Sequence, residues 1–154
     1  MQTVNADIAD ILDGLDLFKN FSYADLKTIS CHLVQETMPR GSVLFNEGDP
    51  GSFMLILVEG QLSIFKGGER GTHLLCHEGR GRIVGEMALL DQERRSATCL
   101  ADTECVVLTL HSEGLEKMAA VTPLLAYRFM FSMAKLLSRR LRKTSGMLVE
   151  YLIT

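Results

Sequence analysis

Residues 53–66 read FMLILVEGQLSIFK, two apolar runs that Glu59 and Gly60 separate. Glycine beside a polar residue marks a turn, and each run has the length of a β-strand. In the second run Leu62 and Ile64 occupy alternate positions, which is typical of a strand with one face turned inward. The stretch therefore predicts two consecutive strands, at 53–59 and 61–66, joined by a tight turn.

The same alternation of short apolar runs and turn signals continues on both sides of this hairpin. Further turn signals lie at 39–41, 47–50, 67–71 and 79–81. Strands are predicted at 34–38, 42–46, 53–59, 61–66, 72–78, 82–84, 97–101 and 105–111. Eight short strands spaced about 8–12 residues apart indicate an antiparallel sandwich or barrel. Gly67 and Gly68 favour a hairpin turn, because both can take a positive φ.

Helical periodicity flanks the β region on both sides. Residues 5–33 predict two helices, with Asn5 as the candidate cap of the first and Ser22 as the cap of the second. Ser112 is predicted to cap a short helix, and Thr122 followed by Pro123 begins a long one that runs to about residue 152. A helix of 30 residues spans about 45 Å. Its outer part must therefore pack on another element or on a second copy of the chain.

Length and composition fit one globular domain, residues 1–154, divided into N-terminal helices (1–33), a β region (34–111) and C-terminal helices (112–154). The chain is 47% hydrophobic and 23% charged, which excludes disorder as a description of the whole. It has no apolar run of 18 residues, and its start is acidic, so neither a membrane span nor a secretory signal is predicted. Four cysteines without a CxxC pair indicate reduced thiols in a cytoplasm.

Charge is unevenly distributed along the chain. Residues 122–154 contain six bases and one acid, whereas the remainder has a formal charge of −8. Such asymmetry fits either a contact with a polyanion or a solvated basic face on a long helix, and the second interpretation is favoured. A chain at −3 overall is a poor nonspecific binder of DNA.

One stretch, residues 82–98, interrupts the β pattern and reads RIVGEMALLDQERRSAT. Gly85 allows a close backbone approach, and residues 86–90 can form a helical turn whose free N–H groups bind an anion. Arg95 can then bind a phosphate through the paired N–H donors of its guanidinium group. Glu86 would repel that phosphate unless it met a neighbouring hydroxyl. An anion, a hydroxyl and an apolar wall together describe a phosphorylated sugar that carries a base.

The stretch from Gly85 to Thr98 resembles the phosphate-binding cassette of cyclic nucleotide-binding domains. GSVLF at 41–45 with EGD at 47–49 is similar to that family's early strand and turn, and LVEGQLSI at 57–64 to its central hairpin. Residues 123–141 resemble its lid helix, and RLRKTS at 140–145 is similar to the bacterial catabolite activator (cAMP receptor) branch. The resemblance implies a mainly β fold: an eight-stranded antiparallel double-sheet jelly roll with N-terminal helices and a long C-terminal helix.

In that family the glycine and glutamate of the cassette hold the ribose, the arginine and the next serine hold the cyclic phosphate, and a Thr-Ser pair on the lid helix contacts adenine. The resemblance therefore implies these ligand-binding residues: Gly85, Glu86, Met87, Ala88, Arg95, Ser96, Ala97, Thr144 and Ser145. Arg94 competes with Arg95 for the phosphate. Because adjacent strand residues point to opposite faces, only one of them can enter the pocket, and the family register selects Arg95.

The leading functional hypothesis is a non-catalytic sensor of cAMP, with cGMP as the alternative, that signals to an unidentified effector through its C-terminal helix. The bacterial activators continue into a helix-turn-helix module, whereas this sequence stops at Thr154. DNA binding is therefore not carried over, and the alternative is a fragment of a longer transcription regulator. The basic cluster at 139–143 is the only support for that alternative.

A cupin-like metal enzyme is the hypothesis from a different class. It needs closely paired histidines on one strand, but His73 and His77 lie four residues apart. Cys31-His32 and Cys76-His77 are neighbours that diverge in a strand, so no metal and no cofactor are predicted. The sequence contains no GxSxG nucleophile elbow and no GK[ST] phosphate loop, which argues against catalysis.

The long helix also predicts a parallel homodimer. An apolar seam, spaced 3, 4, 3, 4, 3, is formed by Ala134, Leu137, Leu141, Thr144, Leu148 and Tyr151. Thr144 is the polar step in this seam, where the resemblance places adenine. The basic run 139–143 is expected to lie outside the seam, facing water or a partner. The rival hypothesis is a monomer whose helix folds back over its own β region.

Overall fold

The computed structural model describes residues 7–153. Its helices are α1 (Ile8–Asp13), α2 (Tyr23–Ser30), α3 (Glu86–Asp91), α4 (Ser112–Val121) and α5 (Pro123–Ile153), with a 3₁₀ turn at Asp16–Phe18. Its strands are β1 (Leu33–Met38), β2 (Val43–Phe45), β3 (Phe53–Glu59), β4 (Leu62–Gly68), β5 (Gly71–Glu78), β6 (Ile83–Val84), β7 (Thr98–Ala101) and β8 (Cys105–His111). Each predicted strand is present, with its ends shifted by two residues at most.

Two four-stranded antiparallel sheets face each other, in the orders β1-β8-β3-β6 and β2-β7-β4-β5. Leu57 pairs with Val107 in the first sheet and Ile64 with Cys99 in the second. The inner faces bury one core between the sheets. The predicted mainly β, double-sheet jelly roll is confirmed.

The β4–β5 hairpin turns at a different place from the one predicted. Gly67 and Gly68 belong to β4, and Gly68 pairs with Gly71 across the turn. The positive φ, 104°, falls on Gly71. Gly67 stays in the strand because its N–H donates to Glu47 Oε2 at 2.8 Å. The predicted hairpin is therefore confirmed, but its turn follows Gly68, and neither Gly67 nor Gly68 takes the positive φ expected of it.

The helix caps agree with the sequence in one case and differ in another. Ser22 and Asp25 form a capping box at α2, as predicted for Ser22. Asn5 lies outside the described residues, and Asp7 caps α1 instead. Ser112 is the first residue of α4 rather than its cap, because β8 pairs with β3 up to the preceding residue and the helix starts directly from the strand.

A second core lies where the helices cover the outer face of the first sheet. Phe18 stacks on Phe129 of α5 with ring centroids 6.1 Å apart, and both side chains are buried with Met118 and Leu108. All the buried residues of α5 lie between Leu125 and Met133. From residue 141 to residue 153 every side chain of this helix is exposed. None of the helices within residues 7–153 is both long enough and apolar enough to span a membrane.

Candidate functional site

A cavity of about 160 Å³ opens where β6 meets α3, beside the start of β7. Seven of the nine residues predicted from the sequence line it: Gly85, Glu86, Met87, Ala88, Arg95, Ser96 and Ala97. Its other walls are Phe45, Ile64, Cys76, Glu78, Ile83, Val84 and Arg140. The cavity therefore combines the charged and polar groups of the cassette with apolar side chains from both sheets, and Glu78 and Arg140 add two further charges.

Gly85 sits at the N-terminus of α3 with φ = 78°, a left-handed conformation that favours glycine. A Cβ placed there would lie 2.5 Å from Arg95 Nη1. Glycine is thus needed for its backbone and for the space it leaves to the arginine. The first N–H groups of the short helix that follows have no partner within the helix, which is the arrangement expected for an anion site.

Arg95 is held in place by backbone carbonyls and aromatic rings. Nη1 donates to Gly85 O at 3.0 Å, and Nη2 donates to Phe53 O at 2.6 Å. The guanidinium carbon lies 4.2 Å from the ring centre of Phe45 and 4.5 Å from that of Phe53. The side chain is only 3% exposed. This environment fixes the guanidinium plane before any ligand arrives.

No carboxylate within residues 7–153 forms an ion pair with the buried charge of Arg95, and Asp49 and Glu86 act on it only from a longer distance. Its Nε is buried and makes no hydrogen bond. Burial lowers the pKa of the guanidinium from its ordinary value. A buried cation without a direct ion pair is costly, so an anion placed in the cavity would relieve an existing penalty.

Glu86 is buried as well, and it is paired with a residue that sequence analysis placed elsewhere. Its Oε1 accepts a hydrogen bond from Arg140 Nη1 at 2.9 Å, while Arg140 Nη2 donates to Ile83 O at 3.3 Å. Arg140 was expected to face water or a partner with the rest of the basic run, and for this residue the expectation was wrong. The half-buried guanidinium instead bridges α5 and the cassette.

A family model of the cyclic nucleotide-binding domain matches residues 35–121. The chain belongs to this family. The resemblance to that family is therefore confirmed, and the matched segment contains the whole cassette from Gly85 to Thr98.

Relatives of this cyclic nucleotide-binding domain come from several classes of protein. It is 30% identical over 135 residues to a cyclic AMP receptor protein of Thermus thermophilus, a match that covers 86% of this chain and 60% of the relative. It is 34% identical over 119 residues to a cyclic nucleotide-gated potassium channel of Mesorhizobium japonicum, covering 77% of this chain and 32% of that one. The chain thus spans less than two thirds of either relative.

Among solved structures, a cyclic nucleotide-binding domain from Methylobacillus flagellatus superimposes with a TM-score of 0.83 at 27% sequence identity. The match covers 93% of this chain and 81% of that one. The shared fold therefore includes the helices as well as the β-roll.

The remaining cassette residues have ordinary packing contacts. Ser96 is exposed at the cavity, and its carbonyl accepts a hydrogen bond from Lys66 Nζ at 2.7 Å. Ala88 is buried so closely against Gly51 that a Cβ on the glycine would lie 2.1 Å from the alanine Cβ. Met87 is half exposed at the rim.

Arg94, the competitor of Arg95, is exposed, and its Nη1 donates to Gly48 O at 2.8 Å. Thr144 and Ser145, the two other predicted site residues, are exposed on the outer part of α5 and do not line the cavity of this chain. The Thr144 hydroxyl donates to Arg140 O, one turn back along the same helix. The adenine contact assigned to this pair stays a prediction.

Sequence reasoning missed the aromatic rings around Arg95 and the ion pair of Glu86. Arg140 is 54 residues from Glu86, and Phe53 is 42 residues from Arg95. No local spacing could have revealed these pairs. The only signal was that Arg140 precedes the predicted adenine pair by one helical turn.

Two groupings bear on the alternative of an enzyme. Within the described part of the chain, no three His, Cys, Asp or Glu side chains gather in a way that could hold a metal ion. Ser63, His77 and Asp102 do meet, but the hydroxyl and the carboxylate both contact Nδ1 of the histidine, at 3.0 and 2.9 Å. A catalytic triad needs these two contacts on different ring nitrogens.

Proposed function

We propose that residues 1–154 form one non-catalytic sensor domain that binds cAMP, with cGMP as the alternative ligand. The observation that carries the proposal is Arg95, a buried cation that lines the cavity beside Ala88 and Ser96 and forms no ion pair within residues 7–153. A cyclic phosphate carries one negative charge, which matches the one uncompensated positive charge of the site.

Glu86 is proposed to bind the sugar of the nucleotide. Oε1 of Glu86 is engaged by Arg140, whereas Oε2 has no hydrogen-bond partner among the described residues. A carboxylate can accept bonds on both oxygens, so Oε2 can accept one from a ribose hydroxyl while the ion pair persists. The negative charge of Glu86 is thereby shielded from the phosphate, which removes the repulsion that its presence in the cassette would otherwise cause.

The base is proposed to extend out of the cavity. About 160 Å³ is below the roughly 300 Å³ at which small-molecule pockets usually begin. The space therefore suits the phosphate and the sugar, with the base passing the apolar wall of Ile64 and Cys76 towards α5. Ser96 can serve the phosphate in one base orientation and the amino group of guanine in the other. The cyclic AMP receptor of Thermus supports cAMP as the first choice.

Signalling is proposed to run through α5 in a homodimer. Arg140 joins the cassette to α5 directly, and the predicted seam residues Leu141 and Leu148 are 68% and 57% exposed. Ligand that binds better to one position of the helix than to another would shift its equilibrium in proportion to that difference. The adenine contact of Thr144 and Ser145 would then come from the paired helices, and an effector would recognise the helix position.

Isothermal titration calorimetry with cAMP, cGMP and 5′-AMP tests the ligand. We expect one cyclic nucleotide per chain, with 5′-AMP weaker by about tenfold or more, since its extra phosphate charge has no second buried cation to meet. Equal binding of cAMP and 5′-AMP would contradict the cyclic phosphate site. Absence of binding by both cyclic nucleotides would overturn the proposed function.

A fragment of a longer transcription regulator is the second candidate. It is favoured by one observation, that the chain spans 60% of the Thermus receptor. In a gel shift with duplex DNA at several salt concentrations, this chain is expected not to bind, with or without cAMP. A salt-dependent shift that requires residues 139–143 would support DNA binding instead.

A further inference from the structure

A second, larger cavity of about 660 Å³ shares Arg140 with the cavity proposed to bind the nucleotide, which is called the nucleotide cavity below. It is a groove between the segment 14–19, the turn 80–83 and α5. Five cationic side chains line it, together with a single acid: Lys19, Arg80, Arg82, Arg139, Arg140 and Asp16. Its apolar lining comes from Leu15, Leu17, Ile83 and Leu136. We call this feature the basic groove.

Most of the positive charge in the basic groove is not neutralised by the protein. Arg82 pairs with Glu78 at 3.6 Å and Arg140 with Glu86 at 2.9 Å. The other three cations form neither an ion pair nor a side-chain hydrogen bond within residues 7–153: Lys19, Arg80 and Arg139. They come from three separate elements, so the fold, not a run of sequence, has brought them together.

The charge of the basic groove contrasts with that of the whole chain. Five bases, Asp16 and the two carboxylates that pair with Arg82 and Arg140 leave the groove with a formal charge of +2, so the rest of a chain at −3 carries −5. A long polyanion such as DNA would leave the groove and meet this acidic surface, which repels it. A compact anion would stay within the groove. Its volume also falls in the range of roughly 300–1,000 Å³ that small-molecule sites occupy.

We propose that the basic groove binds a small phosphorylated molecule that carries several negative charges. Guanidinium groups form paired hydrogen bonds with phosphate oxygens, and Arg80 and Arg139, on two different elements and without an ion pair, offer this geometry to more than one phosphate, with Lys19 as a third free cation. A single phosphate would leave most of the clustered cations unpaired. The apolar lining suits the uncharged part of such a ligand. This site is distinct from the nucleotide cavity and does not depend on the function proposed for it.

Calorimetric titration of the nucleotide-free protein with inorganic tripolyphosphate tests the basic groove. We expect one tripolyphosphate per chain, and weaker binding by inorganic phosphate. The variant Arg80→Glu/Arg139→Glu should bind tripolyphosphate at least about tenfold more weakly, because it loses charge-assisted hydrogen bonds from both sides of the groove. Both side chains are exposed and make no side-chain contact that the fold requires, so circular dichroism should report an unchanged fold.

Arg40→Glu/Arg70→Glu is the matched control. It changes the net charge by the same amount on two exposed turns that do not line the basic groove. Its tripolyphosphate affinity should remain close to that of the natural chain. Equal losses in the two variants would mean that the interaction senses only total charge, and would overturn the proposal. Failure of the natural chain to bind tripolyphosphate, or tighter groove-dependent binding of a DNA duplex, would also overturn it.

Arg140 lines both cavities, which gives the two sites a shared cation. If cAMP binds as proposed above, the two anions compete for this charge, and saturating tripolyphosphate should weaken cAMP binding a few fold. By linkage, cAMP should weaken tripolyphosphate binding by the same factor. The Arg80→Glu/Arg139→Glu variant should show no such effect. A chain that binds tripolyphosphate but no cAMP would contradict the proposed function while leaving the basic groove supported.

Discussion

The cassette and the outer half of α5 are both predicted to contact the nucleotide, but only the cassette is assembled by a single chain. Residues 85–88 and 95–97 meet around one cavity. Two backbone hydrogen bonds hold Arg95 to the neighbouring turn, from Arg95 N to Asp49 O at 2.8 Å and from Gly48 N to Arg95 O at 2.9 Å. In α5, by contrast, all side chains from 141 to 153 are exposed.

The difference shows that a site can be built within one chain, or can need a second surface to complete it. The cassette is a short segment whose shape follows from its own glycine, helical turn and strand, supported by both sheets. The outer half of α5 is a helix with an apolar face and no core beneath it within the described chain. Exposed apolar side chains at seam spacing are stabilised only when another surface covers them. A second copy is the surface that the heptad spacing predicts.

The largest expected effect concerns the outer half of α5, where the dimer seam is predicted. Leu141→Glu/Leu148→Glu should weaken dimerisation by about a hundredfold or more, since burial of each leucine contributes roughly 1.5–3 kcal/mol. Sedimentation velocity at micromolar concentration should show a dimer for the natural chain and a monomer for the variant. Val149→Glu/Ile153→Glu, exposed positions outside the predicted seam, should remain dimeric.

A natural chain that sediments as a monomer with and without cAMP would contradict the seam. Dissociation caused equally by both double variants would show that the whole outer helix, and not one face, is responsible. Either outcome would leave the cassette untouched, because its contacts lie within one chain.

The next effect tests the cassette. Arg95→Ala should weaken cAMP binding by roughly tenfold to a hundredfold, the expected loss for one charged hydrogen-bond partner. Arg94→Ala removes an exposed guanidinium whose only side-chain hydrogen bond within residues 7–153 goes to Gly48 O, and it should change affinity little. Calorimetry on both variants compares them, with circular dichroism to verify folding. Equal affinities would mean that the phosphate site has been assigned wrongly.

A smaller effect is expected where the outer half of α5 is predicted to contact the nucleotide bound at the cassette. Thr144→Ala/Ser145→Ala should reduce cAMP affinity by about twofold to tenfold, as expected for neutral hydrogen bonds. Ser138→Ala, an exposed serine on the same helix, should not. Introduced into the monomeric Leu141→Glu/Leu148→Glu chain, the Thr144 and Ser145 changes should have no further effect if the paired helices supply the contact. Unchanged affinity in the dimeric chain would remove the adenine contact while leaving the dimer in place.

The strands could be predicted from the sequence because glycine and proline punctuate them. The exception was the run from Gly67 to Gly71, which contains three glycines and so offers several turns of similar cost. Two contacts select one of them: Gly67 pairs with Thr72 of β5, and the carboxylate of Glu47, twenty residues away, accepts the N–H of Gly67. A contact of this kind depends on the folded register and leaves no local signal.

In the candidate site, too, the residues that lie close together in the sequence could be predicted, and those from distant elements could not. Gly85, Glu86 and Arg95 lie within eleven residues of one another, so their spacing was visible in the sequence. The ring of Phe45 that supports Arg95, and the arginine that pairs with Glu86, come from distant elements. The sequence predicted that the whole basic run 139–143 faces water or a partner, but Arg140 contacts the cassette, and Arg139 lines the basic groove. Only the packing of α5 on the β-roll distinguishes these neighbours.

The smallest expected effect concerns the inner end of α5, which is anchored where the outer half is not. Arg128 Nη1 donates to Asp25 Oδ2 at 2.9 Å, and Nη2 donates to Asn20 O at 3.1 Å. Burial alone would raise the pKa of Asp25, but the hydrogen bonds from Arg128 and Ser22 outweigh it, so the pKa is lowered. Because the carboxylate is favoured in the folded state, its contribution is present above the unfolded pKa of about 3.9 and is lost as pH falls through the lower folded value.

Arg128→Ala should therefore reduce the free energy of unfolding at pH 7 by at most about 1 kcal/mol, since both partners are partly exposed. The difference from the natural chain should shrink at pH 3, because Asp25 is then largely protonated in the unfolded state and part of the contribution of its carboxylate is lost. Urea unfolding at the two pH values measures it. Arg142→Ala, on the exposed outer half, should cause no difference at either pH. A loss at Arg128 that is the same at both pH values would assign the anchor to Asn20 and to the ring of Phe21 beneath the guanidinium, and not to the ion pair.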